Sequence, residues 1–161
     1  MKRLVFLTGL LLLNTPVPAA ETRSPGVIQE LPLYALSLIG TPYKYGGNRP
    51  ETGMDCSGFV SHIFGEVAGI QLPRSSLEIS KHGTALEPAD LQPGDLVFFN
   101  TLDRAFSHVG VYLGENRFIH ASSSQTGAVM VSDMNQPYWS KRFDGARRLL
   151  IPPDKESIPQ P

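Results

Sequence analysis

One thiol and four imidazoles are the side chains of this sequence best suited to nucleophilic chemistry: Cys56, and His62, His82, His108 and His120. A thiol beside an imidazole can attack a carbonyl carbon, the sulfur supplying the electron pair and the ring taking the proton. Cys56 lies in Met54-Asp55-Cys56-Ser57-Gly58-Phe59, where a glycine-rich stretch passes into an apolar helical pattern. The unpaired N–H groups and positive dipole end of a helix start favour an anion, so this position predicts a thiol that ionises below its usual pKa of about 8.5. The same N–H groups suit the oxyanion of a tetrahedral intermediate.

Two histidines are poor bases for that sulfur. His62 is six residues further along the same helix, roughly 120° around it, and is expected to be a solvated surface group. His82 stands beside Gly83 at an expected helix end, where a cation suits the dipole. His108 and His120 flank the turn Gly114-Glu115-Asn116. Facing residues of that hairpin should have numbers summing to about 230, so Gly110 faces His120 and His108 shares its side of the sheet. The two histidines become diagonal neighbours about 7 to 8 Å apart at Cα, with Gly110 leaving room between them. Cys56 as nucleophile, His108 as base and His120 orienting the His108 ring is the resulting expectation.

The elements that position these groups follow from pattern. Ile28 to Ile39 predicts a first helix ended by Gly40 and Pro42, and Thr41 to Gly53 a loop. Phe59, Val60, Ile63, Phe64 and Val67 form the stripe of a second helix that begins near Asp55 or Cys56 and stops at Gly69. Ser75 and Glu78 have capping-box spacing for a short helix ending at Gly83. Strands are expected at Leu96 to Phe99, Val109 to Leu113, Arg117 to Ala121, Val129 to Val131 and Ala146 to Ile151. Helices first, then a meander of strands, predicts an α+β domain with an antiparallel sheet.

The chain has 161 residues, 41% apolar and 18% charged, with a formal net charge of -1. That is enough for one core and gives no electrostatic footprint for nucleic acid. Residues 1–20 join a basic start, the apolar run Leu4 to Leu13 and a small-residue exit: a secretory signal peptide, too short to span a membrane. Residues 21–27 read as a flexible leader, 28–150 as the folded domain and 151–161 as a disordered tail. Ala20, Glu21 and Thr22, with no cysteine among them, stand at the expected cleavage site, so no lipid anchor is expected; the expectation is a soluble, periplasmic, monomeric protein with no transmembrane segment once mature. A single cysteine also rules out an internal disulfide.

Six ordered segments carry a resemblance. Gly40-Thr41-Pro42-Tyr43-Lys44-Tyr45-Gly46-Gly47, Asp55-Cys56-Ser57-Gly58-Phe59-Val60, Leu72-Pro73-Arg74-Ser75, Pro93-Gly94-Asp95-Leu96-Val97-Phe98-Phe99, Ser107-His108-Val109-Gly110-Val111-Tyr112-Leu113-Gly114 and Phe118-Ile119-His120-Ala121 are together similar to the NlpC-type, papain-like cell-wall cysteine peptidases. The resemblance implies the papain-like fold and the same Cys56, His108 and His120. It implies a hydroxyl near the reacting carbonyl from Tyr43, with Tyr45 the alternative. It also implies Asp55, Ser57 and Arg74 in the substrate pocket, although Asp55 has a second reading as a helix cap and Arg74 as surface charge. Substrates would be peptidoglycan stem peptides, cut between diaminopimelate and D-alanine or between D-glutamate and diaminopimelate, with no cofactor or metal. A zinc hydrolase lacks its His-Glu-x-x-His motif here. A wall-binding module and an acyltransferase are the other readings of the same fold.

Overall fold

The computed structural model describes residues 25–123 and 127–149. The expected signal segment at 1–20, the start of the leader and the tail at 151–161 lie outside them. Helix α1 (Pro25–Ser37) takes in residues 25–27, which the sequence reading gave to the leader. Proline suits the first turn, where its missing N–H would have had no helical partner. The expected loop contains a small hairpin, β1 (Asn48–Arg49) and β2 (Gly53–Met54).

Helix α2 (Cys56–Ala68) is capped by Asp55, whose Oδ1 accepts the Gly58 N–H at 2.8 Å, and ends at Gly69 in the left-handed conformation. Gly58 permits its close approach to the preceding loop, because a Cβ there would overlap the Gly47 carbonyl oxygen. Helix α3 (Ser76–Ile79) has the expected Ser75 cap but ends after one turn, well before Gly83.

The main sheet comprises β3 (Thr84–Leu86), β4 (Leu96–Phe99), β5 (His108–Gly114), β6 (Arg117–Ala121), β7 (Val129–Asp133) and β8 (Phe143–Arg148), with a one-turn helix α4 (Pro137–Ser140) between the last two. Its order is β3-β8-β4-β5-β6-β7, every neighbouring pair antiparallel. β8 starts three residues before the expected Ala146, drawn into register along β4 through a shift near Phe99. The bidentate pair of Arg148 with buried Asp95, 2.7 and 2.9 Å, ties the end of β8 to the start of β4.

Alternation sorts the sheet residues into two cores. Leu96, Phe98, Val109, Val111, Ile119 and Ala121 pack with Leu31 and Ala35 of α1 and Phe59, Val60, Ile63 and Phe64 of α2. Val97, Phe99, Tyr112, Phe118 and Ala146 pack with Trp139 of α4. Helices on an antiparallel sheet confirm the α+β expectation, and they bring the first turn of α2 to the entry of β5. Among the described residues, no helix is long and apolar enough to cross a membrane.

Candidate active site

The hairpin register is the one parity predicts: Val111 faces Ile119 and Tyr112 faces Phe118. His108 and His120 therefore meet, Nε2 of His108 lying 2.8 Å from Nδ1 of His120, with the rings nearly perpendicular at 86°. A Cβ on Gly110 would come within 2.7 Å of the Phe118 ring and 3.2 Å of the His120 Cβ, so only glycine leaves the pair this space. His120 Nε2 lies 3.0 Å from the Ser132 hydroxyl. Two proton arrangements satisfy this chain, and the one that leaves a base facing the thiol has His108 Nε2–H donating to His120 Nδ1 and His120 Nε2–H donating to Ser132 Oγ. Nδ1 of His108 then keeps its lone pair.

Cys56 supplies the complementary group. The backbone N–H groups of Val109, the residue after His108, and of Ser57 and Cys56 itself favour its thiolate. The thiol thus sits between the start of α2 and the start of β5, in a cleft of about 490 Å³ that His108 also lines. The ionisation expected from sequence is reversed. Burial and the Asp55 carboxylate push the thiol up to about 11, outweighing the three N–H groups. Burial likewise pushes His108 down to about 4, and His120 well below its usual range with the His108 charge adding to the effect. Both partners rest neutral, so the proton would move to the ring as the sulfur attacks, not beforehand.

Linkage gives this burial a measurable sign. The unfolded chain takes up protons at His108 and His120 below about 6.5, whereas the folded protein refuses them down to about 4 for His108. The unfolded state binds more protons in that window, so stability falls as pH falls, by about 3 kcal/mol for His108 alone. Thermal unfolding between pH 7 and pH 4.5 should show a steadily dropping midpoint, with a shallower drop in His120→Asn. A midpoint indifferent to pH across this window would contradict the neutral, buried pair.

Asp55 and Arg74 form the opposite wall. Burial alone would raise the Asp55 carboxyl, but the Arg74 guanidinium and the N–H groups of Gly58 and Gly46 hold it below its ordinary value. Arg74 Nη1 reaches Asp55 Oδ1 and Ser57 Oγ at 2.9 and 2.8 Å; Nη2 reaches Asp55 Oδ2 and the Gly47 carbonyl at 2.7 and 3.0 Å. Four of the five guanidinium donors are committed inside the protein, which leaves Arg74 little to offer a substrate carboxylate. The side chain is still 45% exposed, so Arg74 stands at the cleft rim with its charge paired to Asp55. Asp55 is both helix cap and pocket wall, and Ser57 Oγ donates to the Arg74 carbonyl at 2.7 Å.

Tyr43 and Tyr45 both line the cleft. Tyr43 is half-buried, and burial, then the Cys56 and Asp55 charges, raise its hydroxyl above its usual value. Tyr45 is 89% exposed. Tyr43 is thus the one electrostatically coupled to the sulfur. His62, expected to be solvated, is instead part-buried and lies 3.1 Å from the Tyr34 hydroxyl, fastening α2 to α1 away from the sulfur. His82 is exposed.

Several neighbours escaped the sequence reading. Ser132 completes the histidine chain, and Trp139 stacks on His108 at 5.6 Å and 28° while meeting His120 edge-on at 4.9 Å. Ser132 lies on β7 beyond the strand expected at Val129 to Val131, diagonal to His120 in the pairing of His120 with Met130. Ser107 Oγ accepts the N–H groups of Thr101 and Leu102, shaping the loop that forms one lip of the cleft.

A cysteine at a helix start, facing a histidine pair on an antiparallel sheet, defines the papain-like class of α+β folds. The chain belongs to the NlpC/P60 family, whose sequence profile matches residues 40–148. It is 45% identical over 111 residues to a protein of Escherichia coli K12 named murein DD-endopeptidase MepS/murein LD-carboxypeptidase, covering 69% of this chain and 57% of that one. The chain thus spans little more than half of that relative's length. It is 41% identical over 153 residues to the probable endopeptidase NlpC of the same organism, covering 91% of this chain and 97% of that one. A crystal structure of an NlpC/P60 family protein from Bacillus cereus superposes with a TM-score of 0.69 at 34% identity, covering 76% of this chain and 40% of that one.

Proposed function

We propose that this protein is an exported cysteine peptidase that hydrolyses an amide bond in the stem peptides or cross-links of peptidoglycan, with Cys56 as nucleophile, His108 as base and His120 as the orienting residue. The observation that carries the reading is one cleft lined by both Cys56 and His108, with Nε2 of His108 already engaged by His120 at 2.8 Å. His108 Nδ1 takes the thiol proton as the sulfur bonds to the amide carbonyl carbon. The N–H groups at the first turn of α2 and the Tyr43 hydroxyl face the developing oxyanion. The C–N bond breaks, His108 returns its proton to the leaving amine, and a thioester remains on Cys56. Water, giving a proton to the same ring, then attacks the thioester carbon; the C–S bond breaks, the acid leaves, and the ring returns the proton to the sulfur. His120 holds the ring in the tautomer that leaves Nδ1 free, and stabilises the transient imidazolium through the His108 Nε2–H.

Family membership and the names of the relatives support the wall as substrate, cut at the diaminopimelate–D-alanine cross-link or at the D-glutamate–diaminopimelate bond. Export by the segment at 1–20 would bring the enzyme to that substrate in the periplasm as a soluble monomer. The test is to digest purified peptidoglycan with the mature protein and identify the released muropeptides by mass. Cleaved peptide bonds with intact glycan chains are expected, with activity lost on thiol alkylation and kept in chelator. Cleaved sugar linkages, or activity that survives complete alkylation, would overturn the reading.

A further inference from the structure

Arg104 stands in the loop between β4 and β5 and lines the cleft that holds Cys56. With the histidine neutral, the described residues lining that cleft include three full charges: Asp55, Arg74 and Arg104. Asp55 and Arg74 cancel through their bidentate pair at 2.7 and 2.9 Å. Arg104 is exposed and forms no hydrogen bond or ion pair with any described residue, so the cleft keeps one uncompensated positive charge. We propose that Arg104 is a specificity-determining residue that binds a free carboxylate of the stem peptide and discriminates against a stem in which that carboxylate is amidated. This rests on the peptidase reading above and adds to it the charged group by which the substrate is chosen.

The loop that carries Arg104 is fastened at both ends. Asn100 N–H donates to the Arg142 carbonyl at 2.8 Å, and Ser107 Oγ accepts the Thr101 and Leu102 N–H groups at 2.9 and 3.2 Å. At the far end, Phe106 N–H donates to Asp144 Oδ2 at 2.7 Å, while its carbonyl accepts the Ser76 hydroxyl at 2.6 Å. Asp103, the acidic neighbour best placed in sequence to neutralise Arg104, adopts a left-handed conformation with φ 51° and lines a separate cleft with Lys141 and Arg142. The guanidinium is thus presented from an anchored loop with its donors uncommitted.

The chemistry of that fork selects its partner. A carboxylate offers two acceptor oxygens to two parallel N–H groups, whereas a carboxamide offers one oxygen and turns its own N–H donors against those of the arginine. An exposed ion pair is worth little in water, but a substrate filling the cleft displaces water from around the pair and strengthens it. Arg74 cannot take this part, because four of its five donors are spent on Asp55, Ser57 and Gly47. Two stem carboxylates have the required chemistry: the α-carboxylate of D-glutamate and the free carboxylate of diaminopimelate.

The test measures kcat/KM of the wild type, Arg104→Gln and Arg104→Glu on three cross-linked muropeptides of one sequence: both carboxylates free, the D-glutamate carboxylate amidated, and the diaminopimelate carboxylate amidated. The wild type should lose about tenfold on at least one of the two amides, and the amide that suffers identifies the carboxylate bound. Arg104→Gln should lose about tenfold on the free substrate and treat it and that amide alike to within about twofold. Arg104→Glu should prefer the amide. Added salt should shrink the preference of the wild type, and the thermal midpoints of both variants should be unchanged, since the side chain is bonded to no described residue. A ratio of free to amidated substrate that is the same in all three proteins, or a wild type without any preference, overturns this proposal and leaves the peptidase reading standing. A wild type that cleaves none of the three overturns the peptidase reading, and this proposal with it.

Discussion

Cys56→Ala is expected to abolish peptidoglycan hydrolysis, a loss of about 10⁶ in kcat. The size follows from there being no substitute. Cys56 is the one thiol in the chain, and the N–H groups that would cradle the oxyanion belong to the helix turn it begins. Without the sulfur, those donors can still polarise a carbonyl, but no covalent intermediate forms. The fold should be undisturbed, because Asp55 caps α2 and Gly58 fits against Gly47 independently of the thiol. An unchanged thermal midpoint with activity at the background of the assay is the expected pair of results. Residual turnover above about 1% would show that another group attacks the bond.

His108→Ala should be nearly as severe, since a thiol pushed up to about 11 holds almost no thiolate at neutral pH and depends on a base at the moment of attack. His120→Ala should cost less, about 10² to 10³ in kcat. An orienting aspartate in comparable triads is worth about 10⁴, and a neutral ring adds no charge to the imidazolium it supports. The ordering of the two is therefore diagnostic. The loss in His108→Ala should also be partly restored by added imidazole, which a merely structural role would not allow. Comparable inactivation by His62→Ala, whose ring is 3.1 Å from the Tyr34 hydroxyl, would assign the base wrongly.

What the sequence disclosed was local or periodic. The α2 stripe, its Asp55 and Gly69 boundaries and the hairpin register all depend on residues close in the chain, and parity alone brought His108 and His120 together. The pieces that escaped depend on distant pairings or on segments too short for a period to show. β8 lies between β3 and β4, strands far earlier in the chain, so its start was set by a partner that no local pattern reveals. Pro137-Tyr138-Trp139-Ser140 makes only one helical turn, yet it delivers the Trp139 ring that covers the histidine pair. The direction of the thiol shift was misjudged for a related reason. The helix start and the adjacent Asp55 carboxylate are both visible in sequence, whereas the burial that is the largest cause of the shift is tertiary. Arg74 lines the cleft, but its four committed hydrogen bonds depend on Asp55, Ser57 and Gly47 converging in space.

Ring ¹⁵N NMR of His108, before and after the Cys56 sulfur is capped as a methyl disulfide, most directly tests the pairing of thiol and imidazole. At pH 7 the account predicts a neutral His108 with an unprotonated Nδ1 and a protonated Nε2, and an Nδ1 resonance that moves when the sulfur is capped while His62 and His82 stay still. A His108 Nδ1 that already carries a proton, or one indifferent to the modification, would contradict it.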